Sequence, residues 1–401
     1  MDPQHQRLLE GSSTPADAAK LLELADQFQA DGALHLAATA LDRAFGLDAV
    51  NPAIRDKRQD LLDRLAVSEH GFNFRYVPAG TFIMGAFDGD PDEQPVHSVQ
   101  LAHFWLTETP VSWADFCRIM DWEPPPHGMP KEAMNMRERD KLLWKLSLLN
   151  RIRLQYCEDE TLRARDWHSH APAQTWQKDG QTLSSQEIFG VPQRANPSKP
   201  WGYSAKPMVA VSCELAEKFC AKLCSPAAGT NPPGFLSSLF GHKTATPTTA
   251  SVQYRLPTEA EWEKAARGGL IGCRYPWGSE PPTTDNCDFG RFDRFSILPM
   301  KRFPPNGYGL YAMSGCVWEW TGDWYDAEFY SHTTARNPRG PSTGKQKVVR
   351  GGSWADCPEA VTVSFRMSMA DEGPPTDVNP NIGFRLCRSA KGSDHGPDGP
   401  A

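Results

Sequence analysis

The sequence predicts an α+β fold that is rich in loops and poor in regular structure, preceded by an N-terminal helical hairpin. Three observations favour it. Apolar residues recur at helical spacing from about Thr14 to Val67. From Phe74 onward the pattern changes to short strands separated by turn residues. The 401 residues include 35 prolines, 32 glycines and 13 tryptophans, which suits a core built from aromatic side chains between loops.

The first segment, residues 1–68, is predicted to be helical. Breaks at Asp31-Gly32 and at Asn51-Pro52 divide it into successive helices. The pattern is typical of a single tetratricopeptide-like hairpin with one extra helix. One such unit cannot bury its own apolar face, so it is expected to dock on the main domain or on a partner.

The main domain is predicted to span residues 69–390. Its first strands, from Arg75 to Gly85, are predicted to form a hairpin around a Pro-Ala-Gly turn. The acidic residues that follow, Asp88, Asp90, Asp92 and Glu93, are interpreted as a solvated loop because the other ligands of a calcium loop are missing. Further on, Thr258 and Glu261 are spaced as a capping box that begins a helix.

Two stretches are interpreted as inserts, at residues 122–201 and 225–251, and residues 391–401 as a disordered tail. The first insert is long and charged, with a basic helical stretch from Met129 to Tyr156, which favours a lid or a partner surface. It contains His168 and His170, whose spacing suits a metal pair, although no third ligand stands at a fixed distance. The second is rich in Ser, Thr, Pro and Gly, as surface loops are.

Composition excludes several classes of function. The net charge is −7 and no basic run is present, so nucleic-acid binding is not expected. No window of about 18 apolar residues predicts a membrane span. The N-terminus lacks the basic start and apolar core of a secretory signal, which indicates a cytoplasmic protein with free thiols among its ten cysteines. The oligomeric state is not specified.

The densest pattern of glycines and aromatic residues lies between Pro304 and Tyr325. Gly309 follows Asn306-Gly307 in a predicted tight turn with positive φ. Beyond it, Glu319 stands between two tryptophans. A glutamate in this position is either a hydrogen-bonded core acid or a cation ligand completed by backbone carbonyls, and both alternatives stay open.

This segment resembles the signature of the formylglycine-generating-enzyme, or sulfatase-modifying-factor, family. The resemblance extends over blocks in the family's order, covering about 310 residues of the chain. It implies the formylglycine-generating-enzyme fold, which is C-type-lectin-like. The blocks are Phe82–Gly85, Glu93–Val99, Arg255–Glu263, Tyr275–Gly278, Val349–Trp354 and Asn381–Arg385.

The same resemblance implies a copper(I) site. In the family, two cysteines five residues apart hold the ion as soft thiolate ligands and activate oxygen. Cys357 falls at the first position, but the second is Thr362, whose hydroxyl is a poor ligand for copper(I). Cys316, where the family usually has asparagine, is either a substitute thiol or a small buried residue. Family catalytic positions further correspond to Ser353, Arg366 and Trp320.

Calcium sites are also implied by the resemblance. One would use Asn286 and the backbone of Cys287, with an acid or carbonyl in the following loop. The other would use carbonyls near Ser314, Gly315 and Val317, together with Glu319. Such oxygen ligands suit calcium, which stabilises long loops.

Two hypotheses of function follow. The first is a protein- or peptide-binding module that has lost the copper site of an oxidase scaffold. The second is an oxygen-dependent oxidase or hydroxylase with an altered copper or iron site around Cys357. A three-histidine iron centre of the ergothioneine type is disfavoured, because His35 is the only histidine between Thr14 and Val67.

Overall fold

The computed structural model of the chain describes residues 14–120, 175–178, 181–184, 206–209, 211–224, 252–291, 297–370 and 381–390. Helices and strands are mixed along these ranges, which confirms the predicted combination of the two. The predicted metal pair at His168 and His170, most of the two inserts and the tail at 391–401 lie outside the described residues. No helix within the described ranges is long and apolar enough to cross a membrane.

The helices and strands have these bounds. The helices are α1 (Pro15–Ala30), α2 (Leu34–Leu47), α3 (Pro52–Leu65), α4 (Trp113–Met120), α5 (Cys213–Cys224), α6 (Glu259–Arg267) and α7 (Phe329–His332), with short 3-10 helices at Pro91–Glu93 and Pro358–Val361. The strands are β1 (Val67–Glu69), β2 (Phe72–Val77), β3 (Gly80–Met84), β4 (His97–Leu101), β5 (Phe104–Thr107), β6 (Thr175–Lys178), β7 (Gln181–Ser184), β8 (Val252–Arg255), β9 (Trp318–Trp324), β10 (Gln346–Arg350), β11 (Arg366–Ala370), β12 (Ile382–Gly383) and β13 (Cys387–Ala390).

Two sheets organise the domain. The larger has the strand order β1-β2-β5-β13-β8 and is antiparallel throughout. The smaller has the order β11-β10-β9-β12, with β12 parallel to β9. The chain passes from the smaller to the larger sheet through Phe384, Arg385 and Leu386, which are fully buried. This connection therefore lies in the core between the sheets.

The predicted hairpin between Arg75 and Gly85 is wrong. Strand β2 pairs with β1 and β5, whereas β3 pairs with β4, so the two strands belong to different sheets. The physical reason lies in the connection. Pro78 has no N–H to donate to a neighbouring strand, and the buried amine of Lys264 binds the carbonyls of Pro78 and Gly80 at 2.7 and 3.0 Å. The chain is thereby held in a turn that leads from one sheet to the other.

The N-terminal helices begin and end at the residues that the sequence indicates. Thr14 and Asp17 form a capping box at the start of α1, and Asn51 accepts a hydrogen bond from the N–H of Ala53 at the start of α3. Gly32, with φ of 75°, separates α1 from α2, since glycine adopts this conformation without a steric penalty.

These helices dock on the main domain. Arg58 of α3 is buried and pairs with Asp42 of α2. Its guanidinium also donates to the carbonyls of Gly268 and Gly307, at 3.1 and 2.6 Å. Asp42 in turn accepts a hydrogen bond from the hydroxyl of Tyr308 at 2.9 Å. Of the two docking partners that the sequence allows, the structure shows the chain's own domain.

Two stacked histidines lie at the same junction. The ring of His35 in α2 lies 4.5 Å from the ring of His103, nearly parallel to it. The His35 Nδ1 atom is 2.9 Å from the hydroxyl of Tyr76. Burial, together with the neighbouring His35, lowers the pKa of His103 to about 4. Burial also lowers the pKa of His35. Both imidazoles are therefore neutral at pH 7.

This pair predicts a pH-dependent loss of stability. In the unfolded chain each imidazole takes up a proton near its ordinary pKa of about 6.5, whereas folded His103 does so only near pH 4. The contribution of neutral His103 to the free energy of unfolding is therefore complete above about pH 6.5, and it declines as the pH falls towards 4. We expect the melting temperature of the wild type to fall more steeply between pH 6.5 and 4.5 than that of His103→Gln, measured by calorimetry. His332→Gln, at an exposed histidine, is the control and should keep the wild-type slope; equal slopes in all three proteins would contradict the prediction.

Candidate functional site

A cleft of about 220 Å³ lies beside the position that corresponds to the family's second cysteine. One wall is the turn after β3, which includes Phe87 and continues to Glu93. The other is the segment from Glu359 to Phe365, which contains Thr362. The N–H of Val363 donates to the carbonyl of Arg274 at 2.9 Å. This bond places Cys273 on the chain segment next to Thr362, and Cys273 also lines the cleft.

Thr362 has a structural role in this wall. Its hydroxyl donates to the carbonyl of Glu359 and accepts from the N–H of Phe365, both at 3.2 Å. It follows the 3-10 helix Pro358–Val361 directly, so these bonds close the end of that helix. The hydroxyl therefore serves the local backbone.

Cys357 precedes the same 3-10 helix and is exposed. Its thiol lies beside Glu359. The pKa of the Glu359 carboxyl is lowered by the residue's own backbone N–H and then by the Cys357 thiol. The first copper position of the family thus carries an accessible thiol in contact with a carboxylate.

Cys316 does not fit as the second copper ligand. Its side chain is buried in a small apolar cluster with Trp354, Val317 and Ile297. Burial raises the pKa of the thiol well above its usual value, and the nearby carboxylate of Asp288 raises it further. Copper(I) binds the thiolate, which this environment disfavours. The residues present do not fit the two-thiolate copper site.

The backbone explains part of the family pattern at Cys316. Its φ is 67°, a left-handed conformation in which asparagine is several-fold enriched among residues other than glycine. Asparagine is the residue usual at this position in the family. This chain adopts the left-handed conformation at this position with a cysteine.

The remaining predicted catalytic residues all lie in the buried framework. Ser353 donates its hydroxyl hydrogen to Asp356 and accepts a hydrogen bond from Asn381 at 2.7 Å. Arg366 makes two bonds to the carboxylate of Glu259, at 2.7 and 3.0 Å. The indole N–H of Trp320 donates to the carbonyl of Val211 at 2.7 Å. Their catalytic roles stay predictions. In this structure each of these side chains forms hydrogen bonds with neighbouring buried residues.

Glu319 is paired in the core. Its two carboxylate oxygens accept bonds from Arg385 at 2.6 and 2.7 Å. One of them also accepts a bond from the indole N–H of Trp262 at 2.7 Å. Of the two alternatives that the sequence leaves open, this geometry is that of a hydrogen-bonded core acid.

The other oxygen atoms predicted to bind calcium lie near one another but are partly engaged. The Asn286 side-chain oxygen accepts from the N–H of Thr283 at 2.7 Å. The carbonyl of Ser314 accepts from the Cys287 thiol at 3.4 Å, and burial raises the pKa of that thiol to about 12. Gly315 and buried Val317 continue the same segment. Glu319, the carboxylate of the second site, is already neutralised by a guanidinium, and the side-chain oxygen of Asn286 in the first site is engaged by Thr283, so neither set fits calcium as predicted.

Glu93 is a site residue that the sequence interpretation missed. The sequence predicts a solvated loop from Asp88 to Glu93, but Glu93 is only 3% exposed and lines the cleft. Burial raises the pKa of its carboxyl, although Ser364 partly offsets the rise by a hydrogen bond. The signal was present in the sequence. Asp90 and Glu93 have capping-box spacing, and they form that box at the 3-10 helix Pro91–Glu93.

The two sheets and the cleft belong to a domain in which helices and strands are mixed. The chain belongs to the sulfatase-modifying-factor family, because residues 68–390 match the model of the sulfatase-modifying factor enzyme 1-like domain. This match confirms the resemblance inferred from the sequence blocks.

Individual relatives differ in their sequence identity to this chain and in the share of each protein that the match covers. The chain is similar to the formylglycine-generating enzyme of Streptomyces coelicolor, with 40% identity over 34% of this chain and 47% of that protein. It is 28% identical to the inactive C-alpha-formylglycine-generating enzyme 2 of Mus musculus, over 79% of this chain and 85% of that protein. It is 26% identical to the serine/threonine-protein kinase pkn1 of Chlamydia caviae, over 79% of this chain and 38% of that protein. The match thus spans about half the length of the Streptomyces enzyme.

The pairing of Glu319 predicts how the protein responds to a chelator. Because Arg385 already neutralises this carboxylate, we expect EDTA to change the melting temperature by less than about 1 °C, measured by calorimetry in calcium-free buffer with and without chelator. Adding millimolar calcium back should likewise have no effect. A fall of several degrees with EDTA that calcium reverses would contradict this expectation.

Proposed function

We propose that this chain is a protein- or peptide-binding member of its family, and that the cleft beside Thr362 is the binding site. One observation carries the proposal: the second copper position is a hydroxyl committed to two backbone hydrogen bonds, in a cleft whose rim exposes large apolar side chains. The similarity to a relative named as inactive, over most of both chains, supports it.

The rim has the features of an interaction surface. The Phe87 side chain is 87% exposed, and the Ile83 side chain beside it is 43% exposed. Exposed apolar groups that border a cavity are common where a protein binds a partner, and aromatic anchors supply much of the binding energy. Both residues line the cleft directly.

The charge of the residues that line the cleft indicates which kind of peptide would bind there. Asp90, Glu93 and Glu359 bring carboxyl groups to the cleft, and the carboxylate of Asp88 is paired with Arg274 at 2.7 Å. The unpaired groups are thus mainly acidic. A peptide with an apolar anchor and neutral or basic flanking residues suits this surface better than an acidic one.

A second candidate function is an oxygen-dependent oxidase or hydroxylase with an altered metal site. It is supported by one thiol in the lining of the cleft, that of Cys273, and by the exposed thiol of Cys357, which contacts Glu359 of the cleft wall. Copper or iron would have to use these groups, with no contribution from Cys316.

Three finer features belong to the same proposal. The main domain would have the C-type-lectin-like form of the fold, and α1 and α2 would act as a tetratricopeptide-like hairpin whose outer face is open to a partner. The protein would be cytoplasmic, which agrees with the absence of disulfides among the cysteines that the structure describes.

The binding role is tested by removing the aromatic anchor. Peptides are selected from a displayed library on the wild-type protein, and their affinities are measured by calorimetry. We expect Phe87→Ser to weaken binding at least tenfold, because the substitution removes a large apolar contact from the rim. Val50→Ser is the matched control, since Val50 is equally exposed but lies in the turn between α2 and α3. Equal affinity in the two variants, or no selected peptide, would contradict the cleft as binding site.

The lost copper site is tested by restoring the thiol. Thr362→Cys recreates two cysteines five residues apart, so we expect the variant to bind about one copper(I) ion per chain where the wild type binds none. Metal analysis after anaerobic loading measures this. Ser364→Cys, which adds a thiol to the same cleft at a different spacing, is the control. Stoichiometric copper in the wild type that is lost in Cys357→Ala would favour the oxidase instead.

A further inference from the structure

One continuous groove runs along strand β3. It consists of the cleft described above, of about 220 Å³, and of a smaller cavity of about 80 Å³ between α2 and the loop after α6. Ile83, Arg267 and Gly272 line both spaces, so the two are neighbouring parts of one groove. On the side of β3 the lining includes Ala79 to Ile83 and Gly85 to Phe87. This combined space is called the β3 groove.

Strand β3 has one paired edge and one open edge. Its paired edge meets β4, where Thr81 stands opposite Gln100. The N–H of Gln100 donates to the carbonyl of Ala335 at 2.7 Å, and its carbonyl accepts from the N–H of Asn337 at 2.9 Å. Both backbone groups of Gln100 thus point away from β3. Since opposite residues of an antiparallel pair either share both hydrogen bonds or neither, the backbone groups of Thr81 point away from β4.

The same alternation fixes the direction of the backbone groups along β3. Every second residue of a strand turns its N–H and C=O to the same edge, so those of Ile83 also point away from β4. Gly85 continues this series just after the strand. Its N–H donates to Glu263 at 2.8 Å, and its carbonyl accepts from Arg267 at 2.9 Å, both on α6. The open edge of β3 therefore faces α6 and the β3 groove.

This open edge carries unused hydrogen-bonding groups. Within the part of the chain that the structure describes, no strand pairs with it, and no group donates to or accepts from the backbone of Thr81 or Ile83 on that side. Thr81 is half-buried and Ile83 is 43% exposed, so a ligand can reach both residues. An unpaired strand edge is a template for pairing with a further extended segment.

Apolar side chains lie at both ends of the β3 groove. Phe87, 87% exposed, lies at the rim of the cleft, whereas Leu270 and Ile271 line the end near α2. Ile271 is 53% exposed. When a peptide adds a strand to a sheet edge, its backbone hydrogen bonds supply affinity and its alternate side chains supply specificity. An extended segment with apolar residues at alternate positions matches both features of this groove.

We propose that the β3 groove binds an extended peptide as an additional strand, hydrogen-bonded to the backbone groups of Thr81 and Ile83. One end of the peptide contacts Phe87, and the other reaches Ile271 and α2. The N-terminal helices thus form part of the binding surface. This inference rests on the peptide-binding function proposed for the cleft, and it adds the conformation of the bound peptide and the second end of its site.

Methylation of the peptide backbone tests the strand pairing. Short linear peptides selected from a displayed library on the wild-type chain are synthesised with one backbone nitrogen methylated at a time, and their affinities are measured by calorimetry. We expect methylation at every second residue of the paired segment to weaken binding at least tenfold and methylation at the residues between to change it less than about twofold, because only alternate N–H groups face the neighbouring strand. Losses without this alternation would overturn the proposal.

Hydrogen exchange tests the same pairing without any substitution. The amides of Thr81 and Ile83 should exchange at least tenfold more slowly in the wild-type chain saturated with a selected peptide, measured at single-residue resolution by NMR. The amide of Phe82 is the internal control, because it faces β4 in the free protein and should change much less. Unchanged exchange at Thr81 and Ile83 would overturn the proposal.

The end near α2 is tested by Ile271→Ser, which should weaken binding of the selected peptides at least fivefold. Val50→Ser is the matched control, since Val50 is an exposed aliphatic residue outside the lining of the β3 groove. Suppose that Phe87→Ser weakens binding while methylation shows no alternation and Ile271→Ser binds as Val50→Ser does. The cleft then binds a peptide and the edge of β3 does not, so this inference fails while the function proposed for the cleft stands. The absence of any selected peptide would overturn both.

Discussion

Three buried carboxylates, each paired with an arginine from a distant segment, hold this loop-rich domain together. Glu319 on β9 pairs with Arg385, 66 residues away. Glu263 and Glu259, on α6, pair with Arg350 and Arg366. Removing one partner of a buried pair leaves an uncompensated charge and costs about 3–5 kcal/mol. Each pair thus links chain segments that regular secondary structure alone does not join.

The same network positions both walls of the cleft. One carboxylate oxygen of Glu263 accepts from the N–H of Gly85 at 2.8 Å, at the start of the first wall. On the second wall, Arg350 donates to the carbonyls of Val363, Ser364 and Phe365. Because these bonds go to backbone atoms, the position of each wall does not depend on the side chains that line the cleft. The ion pairs of the core therefore determine where the two walls lie.

Local features of the fold could be predicted from the sequence, and long-range pairing could not. The helices up to Leu65 and the capping box of Thr258 with Glu261 follow from spacing alone, and the structure has both. The separation of β2 from β3 does not, because it depends on Lys264, which lies about 180 residues further along the chain. In the same way, two adjacent tryptophans around Glu319 cannot indicate whether its partner is a metal ion or Arg385.

The network also explains how the scaffold can keep its form while the chemistry of its cleft changes. Arg350 holds the carbonyl groups of Val363, Ser364 and Phe365, and the side chain of Thr362 takes no part in these bonds. A hydroxyl at Thr362 completes two short-range backbone bonds. A hydroxyl in place of a thiol there therefore leaves the ion pairs of the core unchanged. In the proposed binding function, the exposed aromatic ring of Phe87 at the rim would contact the partner.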